Sequence, residues 1–291
     1  MRISGWIRIA VVTATDSFLA YELLGTEGAV AVVLAILLYA WIGERIDLLR
    51  DGAVGIENLN ECERERMESL RQYLVEDVRR ASDMDISGIR LHIISSNVPN
   101  AVAYGFGNIA VTRLALNNCD DATLCAVLAH EASHVLCLDA VFRRMIFANV
   151  TILILGISIC SLVSMSFLWI LFFILAIVFR FFRGLFGFLL FRGIGNVVRG
   201  GYTVLQYAVL LIYRTVMGLV SRNSEYRADS FSCQLGYGPQ LQYFLERFAS
   251  EQEMGGRTLH EILYASHPPT VKRISRIEQQ MRSAPPDRAA S

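Results

Sequence analysis

Apolar residues in this chain gather into long runs near the start and in the middle; between and after them they recur at helical or strand spacing. Residues 28–43 (GAVAVVLAILLYAWIG) carry no charge and end in Tyr39 and Trp41, residue types that favour a membrane interface. Slightly short for a hydrocarbon core, this run can be extended by its flanks. Residues 7–24 form a weaker run, interrupted by Asp16 and Glu22. Together the two predict a membrane hairpin over residues 1–45, turning at 25–28. Arg2, Arg8, Arg45 and Arg50 then share one side, as the positive-inside rule asks. A cleaved signal peptide fits the basic start, but the apolar run is broken and no small-residue cleavage site follows.

Beyond the hairpin the pattern changes. Leu59, Met67, Leu70, Leu74 and Val78 recur at helical spacing in an otherwise polar stretch, which predicts an amphipathic helix over 58–80. Residues 89–95 (IRLHIIS) read as a strand. Residues 99–112 read as two short strands around a Gly-x-Gly-Asn turn. Asp120 or Asp121 is placed to cap a helix running through His130 to about Leu138. Residues 145–179 are free of charge. As one helix they would extend about 52 Å, against a core of about 30 Å, so they form either one span with an overhang or two short spans turning near 158–166. Arg180, Arg183, Arg192 and Arg199 punctuate the next stretch, and 201–220 is apolar apart from Arg214. A helix around 225–235 stopped by Gly236, another over 239–254 and a last one after Pro268-Pro269 complete the reading. The organisation expected is a membrane hairpin (1–45), a first catalytic part (46–144), membrane segments (145–221), a second catalytic part (222–283) and a disordered tail (284–291).

Composition sharpens this picture. The 291 residues are 54% hydrophobic and 19% charged, with a mean hydropathy of +0.41. The excess lies in runs, which points to a membrane protein with a polar globular part. Lys+Arg and Asp+Glu balance at 27 each, so no net field attracts nucleic acid, and no nucleic-acid motif is present. Cys62, Cys119, Cys125, Cys137, Cys160 and Cys233 show neither C-x-x-C nor framework spacing, which suits a reduced compartment.

The candidate chemistry sits at residues 128–135 (LAHEASHV), an H-E-x-x-H pattern inside a predicted helix. His130 and His134 lie about 6 Å apart along the axis on one face, so both imidazoles can reach one cation. Glu131 points about 100° away and can reach a water held there. Neutral imidazole suits Zn²⁺, one per chain, which in catalytic sites takes three protein ligands and keeps one position open. The match is short enough to arise by chance and needs a third ligand.

Residues 221–229 (SRNSEYRAD) put Glu225 and Asp229 on one helical face, with Ala228 small enough for close packing. In a two-helix zinc site of the gluzincin kind the second helix supplies a glutamate. Glu225 is thus the candidate third ligand and Asp229 the candidate acceptor for a histidine's second N–H. Alone, E-x-x-x-D reads as a solvated face; the upstream H-E-x-x-H and the flanking apolar runs reverse that reading.

The segments L-A-H-E-x-S-H, S-R-x-x-E-Y-R-A-D and S-H-P-P-T-x-K-R-I, in that order, resemble the HtpX-type membrane metalloproteases, relatives of the CAAX prenyl endoproteases. Residues 99–101 (PNA) followed by 110–112 (AVT) are similar to that family's hairpin. The resemblance implies an α-helical membrane protein with a mainly α, zincin-like catalytic domain that faces the cytosol and carries a small β-hairpin or sheet. It implies a zinc endopeptidase acting on polypeptides in membrane-protein quality control, at the cytoplasmic face of a bacterial inner membrane. The chain departs from the family in its poorly hydrophobic first run and its Phe/Arg-rich residues 180–200. Glu131 is the expected general base and His267, held before a helix by two prolines, the best candidate for an oxyanion donor, ahead of Arg273 and Tyr226. Substrate is expected to add as a strand along Asn100, Ala101, Val102 and Ala103. His92 and His260 read as structural or surface residues. Three alternatives stand beside this reading: a CAAX-type processing protease, a silent membrane scaffold or chaperone of the same fold, and an intramembrane protease. Glu131 counts against the scaffold. The charges of Asp120, Asp121, Asp139, Arg143 and Arg144 around the H-E-x-x-H helix count against the last.

Overall fold

The computed structural model describes residues 2–81, 84–249 and 268–283. These divide into two compact units, one formed by the chain up to Ile146 together with the part from Met217 onward, the other by Phe147–Val216.

In the first unit, α1 (Arg2–Arg50) is two helices joined at Gly25, whose φ of 72° lies where only glycine sits without strain. Ile9, Thr13 and Ser17 of the first half line one groove together with Ala29, Val33 and Leu37 of the second, so the two halves lie side by side. The amphipathic stripe then forms α2 (Glu61–Ala81), burying Met67, Leu70, Leu74 and Val78. These pack with Leu91, Ile93, Ile109 and Val111 of the sheet and Leu124, Leu128 and Val135 of α4 (Asp121–Leu136) in one core. Arg66 of α2 fixes the approach to α4, since its guanidinium donates to the carbonyls of Leu116 and Cys119 and to Asp121.

The sheet has order β1-β2-β4-β3, from β1 (Val54–Gly55), β2 (Arg90–Ile94), β3 (Ala101–Tyr104) and β4 (Asn108–Thr112). β2 and β4 are parallel, and the outer pairs antiparallel. The predicted hairpin is β3–β4, turning at Gly105 with φ 50°. After α3 (Arg113–Asn118), Asp120 caps α4 by accepting from the Thr123 N–H at 2.8 Å. Only Cys137 and Leu138 separate α4 from α5 (Asp139–Val178), and Leu138 takes a φ of 54°.

The second unit holds the bulk of α5 and the first part of α6 (Leu185–Gln234), joined by a 3-10 turn at Arg180–Arg183. The two helices run antiparallel: Ser164 bonds Tyr202 at 2.9 Å and Gln206 donates to Ser158 at 2.8 Å. α5 is continuous through residues 158–166, so this run is one helix rather than two short spans. Among the described residues, four helical stretches are long and apolar enough to cross a membrane: Ile3–Glu22, Gly25–Arg50, Asp139–Val178 and Leu185–Gln234. The end of α6, α7 (Gly238–Phe244) and α8 (Thr270–Ser283) return to the first unit, where Leu241, Leu245 and Ile277 pack on Ala126. The mainly helical fold with a small sheet agrees with the class expected from the sequence.

Candidate metal centre

The centre is built where α4 and the last turns of α6 touch. Ala228 is fully buried at the contact, and Ser232 donates to the Ala126 carbonyl at 2.9 Å. A small residue and a capped carbonyl let the two backbones approach, which brings the side chains one turn earlier on α6 over the histidines of α4.

His130 and His134 point their Nε2 atoms at each other, 3.3 Å apart. Glu225 reaches both, with Oε2 3.4 Å from His130 Nε2 and Oε1 3.6 Å from His134 Nε2. All three side chains are buried. A tetrahedral cation bound at about 2.0–2.1 Å holds its ligand atoms about 3.3–3.4 Å apart. The three separations fit that edge length, and two imidazoles with one carboxylate form a donor set suited to a small divalent cation. These are the described residues whose ligand atoms converge on one point.

Behind the ligands lies a shell of charge. Asp229 Oδ1 is 3.0 Å from His130 Nδ1. Burial alone would lower the His130 pKa, but hydrogen bonding to Asp229 and Glu225 carries it up to about 10. A cation entering the site displaces that proton. Arg273, on α8, grips Asp229 with two bonds at 2.9 and 2.6 Å and lies 3.2 Å from Glu225. Its guanidinium is therefore occupied in neutralising two buried carboxylates, and burial, which favours the neutral form, is outweighed by Asp229 and Glu225, so its pKa is raised. Tyr226 packs its ring under Arg276 at 3.6 Å.

Glu131 is partly exposed at the rim, and its Oε2 accepts from the Ala103 N–H at 2.8 Å. The register explains that bond. Thr112 N–H donates to the Asn100 carbonyl, and antiparallel pairs alternate between bonded and non-bonded, so Ala101 and Ala103 turn their backbone groups away from β4. β3 is an edge strand, and the outward N–H of Ala101 is held by Asn100 Oδ1 at 2.9 Å. The sequence-predicted substrate strand thus runs beside Glu131. His92 bonds Asn108 at 2.9 Å, and the Asn108 amide donates to Glu44 of α1, a structural network. His267 and His260 lie outside the described residues.

Asp139, which the sequence marks only as a charge beyond the H-E-x-x-H helix, has its Oδ2 2.8 Å from His134 Nδ1. The only signal was its position five residues past the second histidine, just beyond the helix.

The model of peptidase family M48 matches residues 65–281, about three quarters of the chain. The chain is 32% identical over 83 residues to CAAX prenyl protease 1 homolog of Oryza sativa subsp. japonica, covering 27% of this chain and 20% of that protein. It is 33% identical over 97 residues to CAAX prenyl protease 1 homolog of Arabidopsis thaliana, covering 31% and 23%. The matched part thus spans about a fifth of the length of these relatives. The crystal structure of S. mikatae Ste24p aligns over 92% of this chain and 62% of that one, at 17% identity and a TM-score of 0.48. With H-E-x-x-H, Glu225 and the intervening helices all inside the matched region, the chain belongs to peptidase family M48, whose members are metal-dependent peptidases.

Proposed function

We propose that this protein is an integral membrane zinc endopeptidase that cleaves polypeptides, misfolded membrane proteins foremost, at the cytosolic face of a bacterial inner membrane. The observation that carries the reading is the convergence of His130, His134 and Glu225 within 3.3–3.6 Å, with Glu131 on the same helix. Bound zinc would polarise a scissile carbonyl and acidify the attacking water. Glu131 takes the proton of that water and returns it to the leaving amine. The Ala103 N–H holds the Glu131 carboxylate at the mouth of the site, where it can make both transfers. Asp229 orients His130, and Arg273 balances the charge of Asp229 and Glu225. An extended peptide adds along β3, where the carbonyls of Ala101 and Ala103 face outward. His267 is the donor proposed to stabilise the oxyanion beside the cation. Arg2, Arg8, Arg45 and Arg50 support the cytosolic orientation.

One second reading rests on a specific observation. Both plant relatives are named CAAX prenyl protease 1 homolog, which favours processing of prenylated C-termini. Detergent-purified protein tests both readings. Zinc near one per chain, with casein cleavage abolished by a chelator and restored by zinc, is the expected result. Cleavage of a farnesylated CAAX peptide but not of casein would favour the second reading, and absence of zinc would overturn both.

A further inference from the structure

Two residues lie between the end of α4 and the start of α5, and the chain turns there through Leu138 in the left-handed region. For a residue with a Cβ that conformation is strained. What the turn achieves is to fold Asp139 back onto His134. Asp139 is only 3% exposed, and a buried carboxylate needs compensating charge. Two guanidiniums supply it. Arg227, from α6, bonds Oδ2, the oxygen that faces His134. Arg8, from α1, bonds Oδ1 at 2.8 Å.

Arg8 does more than neutralise. The same amino group donates to the Cys137 carbonyl at 2.6 Å, inside the turn, and its guanidinium lies 5.0 Å from the Phe142 ring centroid. One turn earlier, a Cβ added to Gly5 would fall 2.5 Å from the Cys137 carbonyl oxygen, so the α1 backbone abuts the turn. Arg8 also sits between Ile7 and Ile9 in a stretch apolar enough to cross a membrane, where an unpaired charge is costly. Its pairing with Asp139 accounts for a charge that the apolar pattern of α1 does not call for.

We propose that Asp139 is a positioning residue for His134 and that Arg8 completes it, which makes the N-terminal helix a working part of the metal centre. This rests on the zinc reading above. A carboxylate held by two guanidiniums only accepts, so His134 Nδ1 donates to it and Nε2 keeps its lone pair for the cation. Loss of Arg8 frees both the carboxylate and the turn that carries it.

The test uses the full chain in detergent. Zinc affinity is measured by competition with a chromophoric chelator, and the visible bands of the cobalt-substituted protein report the ligand geometry. Asp139→Ala should weaken zinc about 10–100-fold and shift the cobalt bands. Arg8→Gln should act in the same direction with a smaller loss, and Arg8→Lys, which keeps the charge, should recover part of it. Should Asp139→Ala fail to fold, Asp139→Asn, which preserves shape, decides through the same spectrum. Wild-type affinity and unshifted bands in Asp139→Asn and Arg8→Gln, beside a wild type that binds zinc, would overturn this proposal alone. A wild type that binds no zinc would overturn the zinc reading and this proposal with it.

Discussion

Each histidine of the centre has a carboxylate on its far nitrogen, Asp229 at 3.0 Å from His130 and Asp139 at 2.8 Å from His134. The first was legible in the sequence and the second was not, for a physical reason. Glu225 and Asp229 are one helical turn apart, so periodicity alone puts them on one face, as it does His130 and His134. Asp139 reaches His134 only because Leu138 adopts a left-handed conformation, and no local pattern announces that in a leucine. Arg8 is further from view still, 129 residues away from the carbonyl it binds. Arg273, a weaker oxyanion-donor candidate in the sequence, gives its Nε and one amino group to Asp229. At this scale Glu225→Ala is expected to abolish stoichiometric zinc after dialysis, since it removes one of three ligand side chains and leaves Arg273 facing the histidines. Metal analysis of the purified variant checks it; full zinc retention would remove Glu225 from the ligand set.

The elements that repeat a short period were the ones the sequence yielded. The stripe of α2, the β3–β4 hairpin and the capped α4 all formed within a few residues of their expected bounds. α6 was harder. The sequence suggested an Arg-punctuated stretch, an apolar run and a separate helix around Glu225, but the chain makes one helix from Leu185 to Gln234. Gly193, Gly195, Gly200 and Gly201 argue for breaks, since glycine costs about 1 kcal/mol in a helix interior. Leu74, fully buried under α4 and the sheet, is the element-scale test of the first unit's core. Leu74→Ala should destabilise that unit by about 2–5 kcal/mol, visible as a lowered melting temperature. An unchanged melting temperature would mean that α2 is not part of the stabilising core.

For the molecule as a whole, the metal centre sets a parity. His134 precedes α5 and Glu225 lies beyond the apolar part of α6, so on the membrane reading the chain between them crosses a bilayer an even number of times. With α5 and α6 each continuous, we expect one crossing by each, a topology that would expose Arg180, Arg183, Arg192 and Arg199 on the non-cytosolic face, against the positive-inside bias. A single cysteine at Asn196, in a background lacking the six native cysteines, should therefore be labelled in intact cells by a membrane-impermeant thiol reagent. Labelling only after permeabilisation would contradict this topology. The central claim is that one site holds the cation with three side chains and moves the proton with a fourth. Glu131→Gln separates those tasks, because the amide keeps the shape of the side chain but cannot take a proton. Zinc content and casein cleavage of that variant beside wild type are the direct measurement. Unchanged zinc with hydrolysis abolished is the predicted result; full hydrolysis by Glu131→Gln would contradict the account.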